Sequence, residues 1–240
     1  MDTLHLHDGG VKIIAHRGLS GLETENTCSA FVAAGNRTYF GIETDVHRTR
    51  DGKYIIIHDD RTGRVADQDL PVEDTDFSVL RALRLKDRDG DDARGDLILP
   101  TLEEYIRVCR RYEKTAVLEL KNHMEKSDIA NIIETVQGEN HLQKTIFISF
   151  DLPNLICLRS MSPRQKAQYL IEDRVPDGLI HTLDRYHLDL DIDYTLLTQT
   201  LVRQVHAAGH EVNVWTVNRL ADARRLAAWG VDYITSNIIE

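Results

Sequence analysis

Short apolar runs alternate along this chain with stretches whose apolar positions recur every three or four residues. The runs at 11–15, 39–45, 54–57, 116–120, 145–149, 167–171, 187–190, 211–216 and 231–235 are rich in β-branched and aromatic residues and read as strands. The helical period predicts helices over 25–35, 75–85, 101–112, 126–137, 152–160, 177–184, 195–208 and 220–228. The expected helix ends have matching chemistry. Asn26 or Thr27 can cap the first helix, Thr101 and Glu104 form a capping-box pair, and Gly35, Gly209 and Gly230 stand at C-termini. Strand, helix, strand is the unit of a parallel sheet, and its repetition predicts an α/β fold.

Nine strand candidates are one more than an eight-stranded barrel needs, and 54–57 is the extra one. Only residues 46 to 53 separate it from Asp45, whereas a parallel crossover needs a dozen or more. Asp51-Gly52 between two β-rich runs is a hairpin signal. A two-residue turn there pairs Arg50 with Lys53 and sets Asp45 opposite His58. The expected fold is a TIM-type (β/α)8 barrel, with this hairpin at the C-terminal rim and an insertion at 60–97. That insertion is polar, punctuated by Gly63, Pro71, Gly90 and Gly95, and reads as mostly loop around the 75–85 helix.

Length and composition narrow the reading. At 240 residues with 42% apolar side chains, the chain fits one barrel domain spanning 1–240, with no low-complexity linker. The 29 basic and 39 acidic side chains leave a net charge of −10, which argues against broad nucleic-acid or anionic-membrane binding. Cys28, Cys109 and Cys157 are widely spaced and form neither a zinc pattern nor a disulfide framework, so a reducing, cytoplasmic setting is expected. The N-terminus lacks the blocks of a secretory signal, and no run approaches the ~20 apolar residues of a membrane span. Oligomeric state is not legible.

The polar residues that end the apolar strands carry the chemistry. They are His16 and Arg17, Glu43 and Asp45, Glu119 and Lys121, and Trp215, with His58 brought in by the hairpin. In a barrel such residues gather at one rim. Three carboxylates offer oxygen ligands to Ca²⁺ or Mg²⁺. Two histidines offer an acid and a base near neutral pH. Arg17 and Lys121 offer positive charge suited to a phosphate. Each residue alone has an ordinary structural reading: a hydrogen-bonded strand-end histidine, a solvated Glu-x-Asp face, a Glu119–Lys121 pair, a core tryptophan. Their convergence favours phosphoryl chemistry, and the chain has no Gly-x-Ser-x-Gly elbow or Walker loop. His47 shares a face with Glu43 and Asp45, as an added ligand or, more simply, a rim histidine. Asp59 can orient an imidazole or, the simpler expectation, bond the hairpin backbone.

The motifs together resemble the glycerophosphodiester phosphodiesterase family. They are His16-Arg17-Gly18, Glu25-Asn26-Thr27, Glu43-Thr44-Asp45-Val46, Thr49-Arg50-Asp51-Gly52, His58-Asp59, Pro100 to Glu104, Glu119-Leu120-Lys121, Ser149-Phe150 and Trp215-Thr216-Val217-Asn218, in the family's order. The resemblance implies a TIM-type barrel and a divalent metal, Ca²⁺ or Mg²⁺, on Glu43, Asp45 and Glu119. It implies an acid/base pair in His16 and His58, phosphate contacts from Arg17 and Lys121, and Trp215 as a pocket aromatic. The implied reaction is hydrolysis of a small phosphodiester to sn-glycerol 3-phosphate and an alcohol, with water or a substrate hydroxyl as first nucleophile. The alternatives are a lysophospholipase-D-like phosphodiesterase and a non-catalytic phosphodiester-binding barrel. The chain departs from the family pattern at Thr24, where proline is usual, and at Thr235-Ser236-Asn237. Residues 60–97, the insertion over the site, match poorly.

Overall fold

The computed structural model describes residues 2–7, 10–88 and 94–240. Eight parallel strands close on themselves: β1 (Lys12–Ala15), β2 (Gly41–Arg48), β4 (Thr115–Leu120), β5 (Thr145–Ser149), β6 (Ala167–Ile171), β7 (Asp189–Asp193), β8 (Val212–Trp215) and β9 (Tyr233–Ser236). Each pairs in parallel with the next, and β1 closes the ring by pairing with both β2 and β9. Seven helices lie in the connections between them: α1 (Cys28–Gly35), α3 (Leu102–Arg111), α4 (Lys126–Gly138), α5 (Leu152–Met161), α6 (Leu179–Tyr186), α7 (Gln199–Ala207) and α8 (Leu220–Trp229). An eighth, α2 (Phe77–Ala82), lies in the 60–97 segment. The result is an α/β TIM barrel.

Apolar burial is partitioned by this closure. A large cluster, including Phe31, Ile42, Leu118, Phe147, Ile192 and Val214, sits between strands and helices. A smaller one, including Ile14, Val117, Ile146, Ile148 and Leu170, contains the residues that alternate with these and fills the barrel interior. Strands buried on both faces read as continuous apolar runs, which is why most were visible in the sequence. Strand β7 is the exception. It was expected at 187–190, yet it runs Asp189–Asp193, because Asp189, Asp191 and Asp193 alternate with Leu190 and Ile192 and break the apolar run. The capping box is formed as written: Thr101 accepts from the Glu104 amide, and Glu104 accepts from the Thr101 amide.

Strand β3 (Tyr54–Ile56) pairs antiparallel with the far end of β2, with Arg48 opposite Tyr54 and Val46 opposite Ile56. The register differs by one residue from the two-residue turn. The Thr49 amide donates to the Lys53 carbonyl at 2.8 Å, leaving the three-residue loop 50–52. In that loop Gly52 has φ +73° and Asp51 does not have positive φ, so a type I′ turn cannot form. Asp51 is engaged instead by the Thr49 hydroxyl and the Phe77 amide. The residue opposite Asp45 is therefore Ile57, whose amide donates to the Asp45 carbonyl at 3.1 Å. His58 reaches the rim because the chain has left the strand, not through strand alternation.

The 60–97 segment is mostly loop around α2, as expected, but it carries an apolar core of its own. It supplies Val65, Ala66, Val72, Leu80, Leu83, Leu85 and Leu97 to a separate apolar cluster seated on Ile55, Ile57 and Leu99. Isolated bridges Arg61–Pro71 and Ala66–Leu85 tie it together. Residues 89–93, including the expected break at Gly90, lie outside the described residues.

The loop after β1 turns sharply to aim its backbone at β2. Arg17 and Gly18 both have positive φ, and the Gly18 amide donates to the Glu43 carbonyl at 3.2 Å. A Cβ on Gly18 would lie 2.7 Å from the Ala30 backbone, whereas one on Gly52 would meet only the end of Arg48 at 3.6 Å. Left-handed backbone alone costs alanine about 1–2 kcal/mol. Urea unfolding of Gly18→Ala should therefore show a larger loss of stability than Gly52→Ala, by about 1 kcal/mol or more. Equal losses would mean that the close packing at Gly18 is unimportant.

Candidate active site

The site is built around two parallel neighbours. Strand β2 presents Glu43 and Asp45 on one face, and the register places Glu119 of β4 directly beside Asp45. Oxygens of the three carboxylates all lie within 4.8 Å of one another. The residues are only 3%, 1% and 6% exposed. Glu43 is held by the Arg17 amide at 2.8 Å, and Asp45 by the Asn26 side-chain amide at 2.8 Å. Asn26 is locked in turn by the Thr44 hydroxyl, which donates to its Oδ1 at 2.7 Å. Lys121 Nζ sits 2.9 Å from Glu119 and 3.8 Å from Asp45, and Arg17 Nε is 3.8 Å from Asp45.

These contacts set the protonation of the cluster. Burial, then the Asp45 charge, drives Glu43 well above the usual carboxylate range. The same two causes push Glu119 up to about 8, against the pull of Lys121. Burial also acts on Asp45, but Arg17, His58 and Lys121 outweigh it and hold Asp45 low. Three carboxylates face two cations, and two of the three acids resist ionising. Oxygen-only donors at this spacing fit a hard divalent cation, whose charge would let all three ionise.

The two histidines enter from opposite sides with different partners. His16 follows β1; its Nδ1 is 2.7 Å from Asn237 Oδ1 and its Nε2 is 4.0 Å from Glu43. Burial, reinforced by the Arg17 charge, lowers His16 to about 4, so it is neutral at pH 7. Asn237 Oδ1 can only accept, so Nδ1 carries the proton and Nε2 keeps its lone pair. His58 is about one-third exposed and bonds through Nδ1 to Asp59 Oδ1 at 2.6 Å. Burial lowers its pKa overall, against Asp45 and Asp59. Burial would raise Asp59, but hydrogen bonds from Arg64 and His58 hold it at about 2. Asp59 thus orients the imidazole, against the simpler backbone-bonding expectation.

The other reading of His47 also fails. His47 is fully buried, with Nδ1 on Glu73 at 3.1 Å and Nε2 on the His58 carbonyl at 3.3 Å. Both nitrogens are engaged, so it is neither a ligand nor an open rim residue; it braces His58 from behind.

His16, Arg17, Glu43, His58, Glu119 and Trp215 line one cavity of about 80 Å³ at the C-terminal rim, with Ile148, Phe150, Leu170 and Asp191 completing much of its wall. Phe150 packs edge-on against Trp215, with ring centroids 5.7 Å apart. A wider groove past His58 and Glu119 is lined by Lys121, Asn122 and His123. A larger, open hollow of about 590 Å³ at the opposite end of the barrel holds Lys12, Arg224 and Asp232, and none of the expected site residues.

Pattern reading missed the residues that position these groups. Asn26 reads as a helix cap and as part of the Glu25-Asn26-Thr27 motif, and at φ +53° it also turns the chain and bridges to Asp45. Arg64 joins the two sides of the site: it donates to Asp59 behind His58 and to Glu25, which pairs with Arg17 at 3.0 Å. Nothing local in the sequence connects these four residues.

Comparison with known proteins decides the family. A family model described as "Glycerophosphoryl diester phosphodiesterase family" matches residues 16–240. The chain belongs to this family. It is 28% identical to a glycerophosphodiester phosphodiesterase of Bacillus altitudinis, over 93% of each chain. It is 26% identical to one of Bacillus subtilis, covering 93% of this chain and 82% of that one. Its fold matches that of an Oleispira antarctica phosphodiesterase solved in complex with the product sn-glycerol-3-phosphate, with a TM-score of 0.88, 27% identity, and coverage of 98% and 96%. The protein is accordingly a phosphoric diester hydrolase acting on glycerophosphodiesters. No helix among the described residues is long and apolar enough to cross a membrane.

The charge pattern has a measurable consequence. Glu119 titrates near 8 when folded and near 4.3 when unfolded. The folded state therefore binds the extra proton, and this contribution to stability is lost as pH rises through 8. His16, lowered to about 4, acts oppositely but only up to its unfolded value near 6.5. With chelator present, the melting temperature should fall between pH 6.5 and 8.5, and Glu119→Gln should lessen the fall. Saturating Ca²⁺ or Mg²⁺ should also lessen it. A flat chelated profile would show that the buried carboxylates do not share a raised titration.

Proposed function

We propose that the protein hydrolyses a water-soluble glycerophosphodiester to sn-glycerol 3-phosphate and an alcohol. Glu43, Asp45 and Glu119 would hold a Ca²⁺ or Mg²⁺ ion, Arg17 and Lys121 the phosphate, and His16 and His58 would form the acid/base pair. The observation that carries this reading is a buried donor: Arg17 Nε, 3.8 Å from Asp45, has no hydrogen-bond partner, and Arg17 lines the cavity that both histidines line. An unpaired guanidinium N–H in that position suits an anionic oxygen. A cation held by these carboxylates would supply Lewis-acid stabilisation of negative charge.

The partners of the two histidines support a division of roles between them. His16 is neutral, faces an amide oxygen and leaves Nε2 free, so it accepts the proton of the attacking oxygen, from water or from the substrate's own neighbouring hydroxyl. His58 is backed by the Asp59 carboxylate, which stabilises the imidazolium, so it donates the proton to the departing alcohol. Trp215 and Phe150 form the apolar wall against the organic part of the substrate.

Residues 1–240 act as one domain in this reading. The 60–97 segment serves as its cover, since Arg64 and Glu73 reach Asp59 and His47 beside the site. The exposed large apolar side chains, Leu4, Val32, Val79 and Val175, come from separate parts of the chain, which favours a water-soluble diester over a lysolipid. The three cysteines are unpaired, as suits a cytoplasmic protein.

Two substrates separate the histidine roles. On glycerophosphocholine, His16→Ala and His58→Ala should each lower kcat by roughly 10²–10⁴-fold. On the p-nitrophenyl diester of glycerol 3-phosphate, whose leaving group needs no proton, His58→Ala should recover most of the loss and His16→Ala should not. The reverse pattern would exchange the two roles, and near-native turnover of both variants would remove the acid/base assignment.

A further inference from the structure

The cavity wall carries a second set of polar groups that acid/base and phosphate-binding roles leave unused. Asp191, at the middle of β7, is 2% exposed and lies beside Asn213 of β8. It lines the same cavity as His16, Glu43 and Trp215. Its Oδ1 is buried with no hydrogen-bond partner, and so is the indole Nε1 of Trp215, two residues beyond Asn213 on β8. One orphan can accept and the other can only donate. Leaving a buried polar atom unpaired is unfavourable. Two such atoms of opposite sense in one cavity wall match a ligand group that both donates and accepts, which is the property of a hydroxyl.

The surroundings of Asp191 are ordered and hold no paired cation. Asn213 donates to Gln168 Oε1 at 3.1 Å and accepts from the Thr235 hydroxyl at 3.2 Å, so the layer behind Asp191 is tied in place. Asp191 forms none of the ion pairs found among the described residues. Burial pushes its carboxyl to about 8, against a hydrogen bond from Asn213, so it is largely uncharged at neutral pH and does not repel an approaching phosphodiester.

We propose that Asp191 and Trp215 form a hydroxyl-binding subsite that recognises the glycerol end of the substrate and sets specificity for it. This rests on the glycerophosphodiester reading above. Asp191 is a specificity residue here, and the Trp215 N–H adds a polar contact to the ring's apolar one.

The test is a binding comparison that needs no turnover. Glycerol 3-phosphate and n-propyl phosphate carry the same phosphate and the same three-carbon length, and only the first has hydroxyls. In the presence of Ca²⁺ or Mg²⁺, their dissociation constants are measured by calorimetry for wild type, Asp191→Leu and Trp215→Phe. Wild type should prefer glycerol 3-phosphate, and each substitution should reduce that preference at least tenfold, mainly by weakening the glycerol 3-phosphate complex. Trp215→Phe keeps an aromatic ring while removing the N–H donor, and the two ligands meet the same ring, so their preference decides the matter if Asp191→Leu does not fold. An unchanged preference in a folded variant, or a wild type that binds both ligands equally, overturns the subsite. Hydrolysis of glycerophosphocholine by the same preparation separates the two levels. Activity with no hydroxyl preference defeats only the subsite, whereas neither activity nor binding of either ligand defeats the functional reading along with it.

Discussion

Three carboxylates packed into the mouth of a barrel are the constraint around which the rest of the site is arranged. Burying like charges side by side is unfavourable unless they are paired, hydrogen-bonded or neutralised. Glu43, Asp45 and Glu119 meet that condition only in part. Arg17 and Lys121 bring two positive charges, the Arg17 backbone amide and Asn26 bring hydrogen bonds, and two of the acids still resist ionising. The remaining imbalance is what a divalent cation answers, and the spacing of the oxygens suits one. Barrel closure matters because it fixes β2 and β4 in the register that sets Asp45 beside Glu119. A one-residue slip would turn one of them out of the interior.

The groups around the cluster are wired to one another. Arg17 pairs with Glu25, Glu25 with Arg64, Arg64 with Asp59, and Asp59 with His58. This chain links the cation of the β1 loop to the imidazole on the far side of the cavity through a residue of the 60–97 segment. His47 and Glu73 add a second tie behind His58. The segment thus ties into the geometry of the candidate site, and its own apolar cluster packs it against Ile55 and Ile57. Isolated surface pairs add little to stability, but here the ion pairs form a network whose worth lies in orientation.

Much of this was legible in the sequence because strands buried on both faces are continuous apolar runs and end abruptly in charge. Glu43, Asp45 and Glu119 were found that way, as were His16, Arg17 and Lys121. Two kinds of feature were not legible. Polar residues facing the interior break the apolar run, which displaced β7 by two residues and hid Asp191. Turn geometry depends on side chains far along the chain, so the Phe77 amide on Asp51 and the single positive φ at Gly52 shifted the hairpin by one residue. His58 still reached the cavity, for a different reason than strand alternation. The positioning roles of Asn26, Arg64 and Asn237 have no local signature; they become recognisable only when the segments after β1, β3 and β9 meet.

The central claim is that the buried carboxylates act through a bound cation. It is tested most directly by following release of glycerol 3-phosphate from glycerophosphocholine by chelated protein, before and after Ca²⁺ or Mg²⁺ is restored, with Glu119→Gln in parallel. Negligible release under chelation, recovery with one of the two ions, and a higher ion concentration required by Glu119→Gln would agree with the account. Full activity in chelator, or a Glu119→Gln enzyme with unaltered ion dependence, would contradict it.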